Sequence, residues 1–178
     1  MTTRRWFIAL AICAATVGVC MAFVDRPVAD YVQAYLSQTT FFIWTSRAFI
    51  LLDAAMILMV VLLIASGVWV LSGRPLPAWT QLPLAVSGAA VWALGVAAAM
   101  KHLIGQSFPS VTIAVTAACL AVVWICAPRF RAAGAGLLAL IAVALVLTNS
   151  HWVSDVIGGG FVGALVGWMT VVLKRPEH

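Results

Sequence analysis

Residues 54–73 read AAMILMVVLLIASGVWVLSG, twenty positions without a charge. As a helix rising 1.5 Å per residue, such a run is ~30 Å long, the thickness of the hydrocarbon core of a bilayer. Composition extends that reading to the whole chain. Of 178 residues, 65% are hydrophobic and 8% charged, and the mean hydropathy is +1.12. A soluble domain of this size carries about three times as much charge. The chain is therefore expected to be an all-α, polytopic membrane helix bundle forming one domain over 1–178. Six transmembrane helices are expected, at about 6–24, 48–73, 82–100, 110–127, 132–150 and 153–173, joined by short loops. The longest connection, about 25–47, alternates Val28, Tyr31, Val32, Tyr35 and Leu36 with Asp30, Gln33 and Gln38. That pattern suits an amphipathic segment lying at the interface on the exterior.

Basic residues give the orientation. With a cytoplasmic N-terminus, Arg4, Arg5, Arg74, Arg129, Arg131, Lys174 and Arg175 fall inside, and only Arg26, Arg47 and Lys101 fall outside. The expected location is a bacterial inner (cytoplasmic) membrane, multi-pass, with both termini cytoplasmic. Asp25, Asp30, Asp53, Asp155 and His151 then lie on or toward the periplasmic side. Arg4-Arg5 followed by an apolar run also resembles a signal peptide. The run exceeds the usual ~7–15 residues of a signal core, so a retained first span is expected.

Cys13 and Cys20 are seven residues apart on one span, and Cys119 and Cys126 on another. About 10 Å of helix rise separates each pair, too far for a disulfide, and the four read as packing residues. No C-x-x-C spacing and no carboxylate cluster suggests a metal, and no cofactor is expected. Gly159, Gly163 and Gly167 form a small-residue stripe on the last span. It is expected to serve internal helix packing, with a homodimer seam as the alternative.

Two polar clusters remain, both on the external side. The first is Lys101-His102-Leu103-Ile104-Gly105-Gln106-Ser107-Phe108-Pro109-Ser110. Pro109-Ser110 is a helix-start signal, and a helix N-terminus near Lys101 is a candidate phosphate site. The bland alternative is a snorkelling lysine and a capping serine. The second is Asn149-Ser150-His151-Trp152-Val153-Ser154-Asp155-Val156. It sets an imidazole and a carboxylate four residues apart, where Asp155 can hold one ring nitrogen of His151 and leave the other free.

Together these clusters resemble the type 2 phosphatidic acid phosphatase and haloperoxidase superfamily in its small six-span bacterial form. Its motifs are K-x6-R-P, P-S-G-H and S-R-x5-H-x3-D. His151 and Asp155 match the H-x3-D of the third motif. Asp25-Arg26-Pro27-Val28-Ala29 also resembles the small bacterial members. The departures are specific. Lys101 and Pro109 fit the first motif, but Phe108 replaces its arginine. Pro109-Ser110 fit the second, but Val111 and Thr112 replace glycine and histidine. Ala144 and Leu145 replace the serine and arginine of the third. The first two motifs overlap on the same residues, as if the loop between them were lost.

The resemblance implies a hydrolase of phosphoric monoesters or diphosphates, with His151 as nucleophile, Asp155 orienting it, and Lys101 and Ser110 binding phosphate. His102 is the substitute candidate for the absent acid. Losing one preorganised charge partner costs ~10²–10³ in rate, and losing a general acid ~10²–10⁴. The expected function is therefore an outward-facing lipid-phosphate pocket with catalysis weak or lost. The ligand would be a polyprenyl or phospholipid phosphate in the outer leaflet, and no nucleic acid is implied. The alternatives are an active lipid phosphatase using a phosphohistidine on His151, and a structural membrane subunit. The topology has a direct test. Ser150→Cys, in a protein stripped of its native cysteines, should react with a membrane-impermeant thiol reagent added from outside the cell. Reaction from the cytoplasmic side alone would overturn the orientation.

Overall fold

The computed structural model describes residues 3–37, 39–73, 77–104 and 108–173. Gln38, Arg74, Gly105, Gln106, Ser107, Lys174 and Arg175 lie outside the described residues, as does the side chain of Asp53. Seven α-helices follow one another, and no strand occurs among the described residues: α1 (Thr3–Phe23), α2 (Asp25–Tyr35), α3 (Thr40–Leu71), α4 (Gln81–Ile104), α5 (Val111–Cys126), α6 (Arg131–Leu147) and α7 (Val153–Val172). Among the described residues, five segments are long and apolar enough to cross a membrane: Arg4–Phe23, Ala54–Leu71, Ala78–Ile104, Pro128–Leu147 and Val153–Val172. The protein is thus a multi-pass membrane helix bundle.

The remaining expected span coincides with α5, which has only 16 residues and so rises ~24 Å. Pro109 precedes its first turn, and Ala127-Pro128 ends it. A short helix suits its position, because α5 is the axis of the bundle and packs against α4, α6 and α7. Ile113, Ala114, Ala118 and Val122 are completely buried or nearly so. The main core joins Ala85, Ala89, Ala90 and Ala93 of α4 to Val115, Ala118, Cys119 and Val122 of α5 and Val166 of α7. A smaller one joins Ile113 to Ile141 and Leu145 of α6.

Helices α5 and α7 start at the same end of the bundle and run parallel. The Ser110 backbone N–H donates to the Asp155 carbonyl at 3.0 Å. Below that point Gly159 lies on Ser110 and Ala114, Gly163 on Ala114 and Ala117, and Gly167 on Ala118 and Ala121. The glycine stripe therefore packs inside the chain, and that face is not free to form a homodimer seam. The reason is mutual: α5 offers its own line of alanines, so the two backbones meet without side chains between them.

Two further boundaries differ from the sequence reading. The amphipathic segment ends with α2, not at residue 47. Helix α3 starts at Thr40, where the Thr39 side chain accepts the Phe42 N–H at 3.3 Å. Arg47 does not interrupt α3; its guanidinium lies 5.8 Å from the Trp44 ring. A single charge is a poor marker of a helix end, since a long basic side chain can reach the interface from inside a helix. In α2, Val32 is buried, whereas Tyr31 and Tyr35 are exposed and stack on each other at 4.9 Å.

The glycine stripe yields a paired test. At Gly163 an added Cβ would meet the Ala114 carbonyl and the Ala117 Cβ, while at Gly67 of α3 it would meet nothing. Gly163→Val should destabilise by about 1–3 kcal/mol or prevent folding. Gly67→Ala should be neutral or stabilising by up to about 1 kcal/mol, from helix propensity. Thermal unfolding in detergent measures both, and equal effects would contradict the packing described.

Candidate functional site at the head of helix α7

The polypeptide reaches α7 through a tight helix end. Asn149 adopts φ 51°, the left-handed conformation that asparagine tolerates better than most side chains. This lets Ser150 N–H bond the Leu145 carbonyl at 3.1 Å and Asn149 N–H bond Val146 at 3.0 Å, the paired bonds of a Schellman end. Thr148 is buried, and its hydroxyl lies 2.9 Å from that of Ser150. The turn delivers His151 to the start of α7.

Asp155 is 1% exposed. Its Oδ2 accepts the Trp152 N–H at 3.3 Å and lies 3.6 Å from His151 Nδ1. That second distance is just beyond a hydrogen bond, and Nδ1 is shielded from solvent without another partner. The carboxylate thus caps the helix and faces one ring nitrogen, leaving Nε2 as the ring atom free for an external ligand. Ser110, at the head of α5, is wholly buried. Its hydroxyl has no partner among the described residues. The parallel packing of α5 on α7 brings the Ser110 backbone onto that of Asp155, one turn from His151.

Other expected members fall elsewhere or differ in kind. Lys101 is half-buried and His102 exposed on the last turn of α4. No hydrogen bond or ion pair joins either of them to His151 or Asp155. The positions where the resemblance asks for arginine are apolar packing sites. Phe108 lays its ring on Gly158, and Leu145 is 3% exposed among Ile113 and Ile141. A guanidinium at Leu145 would be buried without a partner, at a cost of several kcal/mol.

Sequence reasoning did not assign the other half of the site. Asp25, the first residue of α2, is buried. Its carboxylate accepts the Ser154 backbone N–H at 3.1 Å and the Ser154 hydroxyl at 2.6 Å. Residues 129 positions apart thus cap α7 from outside. Asp25 also carries negative charge to the positive end of the α7 dipole. Beside this clamp opens a cleft of about 210 Å³ lined by Met21, Asp25, Arg26, Trp152, Ser154 and Asp155. The signal in the sequence was a charged pair, Asp25-Arg26, directly after an apolar span, but nothing local tied it to Ser154. Asn149 Nδ2 and Gln33 Oε1, 3.5 Å apart, add a second link between α2 and the turn.

No group of three or more metal-ligating side chains occurs among the described residues. Comparison of the chain with models of known protein families, with curated proteins and with solved structures finds no match.

Removing the Asp25 carboxylate strands the Ser154 N–H and hydroxyl, whereas removing the Ser154 hydroxyl leaves Asp25 its backbone partner. Asp25→Ala should therefore cost about 1–3 kcal/mol and Ser154→Ala about 1 kcal/mol. The double variant should lose less than the sum. Unfolding midpoints in detergent check the order, and additive losses would show that the two groups are not coupled.

Proposed function

We propose that the protein is a lipid-phosphate binder of the phosphatase-like type, with its site facing the periplasm and its hydrolytic activity weak or lost. The observation that carries the reading is the His151–Asp155 pair at the head of α7, beside the head of α5, where the Ser110 N–H donates to the Asp155 carbonyl. Arg26 supplies a cation at the adjoining cleft. Phosphate oxygens would take the first-turn N–H groups of α5, with Arg26 as the counter-charge. His151 Nε2 would face the phosphorus or donate to a phosphate oxygen.

The same geometry explains why turnover should be poor. The donors Trp152 N–H and Ser154 N–H of α7 are already held by Asp155 and Asp25. Two carboxylates and one guanidinium line the cleft, so a phosphate dianion meets net negative charge there. Developing charge in a phosphoryl transfer needs preorganised donors and cations, and two of the positions that would supply them hold Phe108 and Leu145. An amphiphile with a phosphate head and an apolar tail, such as a polyprenyl phosphate or a phospholipid phosphate, fits a polar site set at the end of an apolar bundle.

One observation favours a second reading. Asp25 and Asp155 both serve as helix caps, and a structural membrane subunit would need them for that alone. Binding separates the two. Purified protein in detergent should bind short-chain phosphatidic acid in preference to phosphatidylcholine, and release inorganic phosphate from it slowly or not at all. His151→Ala should weaken that binding about 10–100-fold, the loss of one charge-assisted hydrogen bond. Rapid phosphate release abolished by His151→Ala would establish an active enzyme instead. No binding by the intact protein would leave the structural subunit. In the binder, Thr112→His restores an acid without burying a charge in the core and should raise release; Leu145→Arg should destabilise the fold.

A further inference from the structure

We propose that the groove between α1 and α7 seats one acyl chain of an anionic phospholipid, whose phosphate pairs with Arg4 and Arg5 at the end of the bundle opposite His151. The groove has a volume of about 310 Å³ and is lined by Trp6, Phe7, Leu10, Phe161, Leu165, Trp168 and Met169. Its walls are held in place from within. Trp6 packs on Trp168 at 5.1 Å and meets Phe161 edge-on at 6.1 Å. Between Phe161 and Met169 the groove follows α7 for about 12 Å of rise, a slot suited to a single extended hydrocarbon chain. Phe7, Leu10 and Met169 are about half exposed or more, so the slot opens sideways to the bilayer.

Charge selects among lipids. Arg4 and Arg5 are exposed in the first turn of α1, less than one turn from Trp6 and Phe7. Neither makes an ion pair or hydrogen bond among the described residues. The acids of the described residues lie in α2, in α3 or in the first turn of α7, so among the described residues this mouth carries only basic charge. A guanidinium forks onto phosphate with two parallel hydrogen bonds. A phosphodiester without a cationic headgroup, such as phosphatidylglycerol, uses that charge fully, whereas a choline headgroup offsets it. A second copy of the chain is a poorer occupant, since its matching face brings two more arginines and no described acid to meet them. The site is separate from the His151 cleft and does not rest on the function proposed above.

Native mass spectrometry of the full-length protein, with dioleoylphosphatidylglycerol or dioleoylphosphatidylcholine added to the detergent, tests the assignment. The protein should retain phosphatidylglycerol in preference. Arg4→Gln with Arg5→Gln should reduce that retention by about fivefold per arginine and leave phosphatidylcholine unchanged; Arg4→Lys with Arg5→Lys should keep most of the preference. Leu10→Trp, which fills the slot, should lower retention of both lipids, while Gly67→Ala in α3, where an added Cβ meets nothing, should alter neither. Equal retention of the two lipids by the unmodified protein would overturn the proposal, as would a preference that survives loss of both arginines. A dimer that disappears in Leu10→Trp would assign the groove to a second copy and overturn it too.

Discussion

The backbone-to-backbone contact of α5 with α7 is the constraint on which the rest depends. Inside a bilayer, lipid tails compete with side chains for apolar surface, so helices associate by close fit rather than by escape from water. Here the fit comes from glycines at 159, 163 and 167 set against Ser110, Ala114, Ala117, Ala118 and Ala121. Once those two helices are in register, their N-terminal ends lie side by side, and the Ser110 N–H reaches the Asp155 carbonyl. The position of every polar group at that end follows. The outer helices α1, α3 and α6 need only cover the assembly, and their exposed leucines, valines and isoleucines face lipid.

A helix head buried in a membrane protein leaves donors that water cannot satisfy. In α7 two carboxylates meet that need, Asp155 from within the helix and Asp25 from across the bundle. This arrangement has an electrostatic consequence for any anion entering the cleft. The positive end of the α7 dipole is already met by two carboxylates, and the cation lining the cleft is Arg26. Structure and ligand therefore compete for the same donors at α7, whereas at α5 the unpaired Ser110 hydroxyl leaves one donor uncommitted.

The membrane class, the helical order and the internal role of the glycine stripe were legible in the sequence, because each depends on local length, hydropathy and spacing. The His151–Asp155 pair was legible for the same reason, as both lie within one turn of α7. Two things were not. The start of α3 at Thr40 was hidden by Arg47, since charge marks loops only on average. The Asp25–Ser154 clamp was hidden because it joins positions 129 residues apart, and no periodicity carries information over that distance. Arg26 entered the site by the same long-range route.

The packing at Phe108 and Leu145, where the resemblance would place arginines, is informative. A lost cation in a working site would leave a polar gap that water fills. At Phe108 and Leu145 the space is instead taken by apolar contacts with Gly158, Ile113 and Ile141. Such contacts stabilise the bundle in proportion to their fit, and a charge returned there would have to displace them. The apolar packing and the carboxylate caps act in one direction: both strengthen the bundle where the heads of α5 and α7 meet, one by close fit and the other by satisfying donors that lipid cannot.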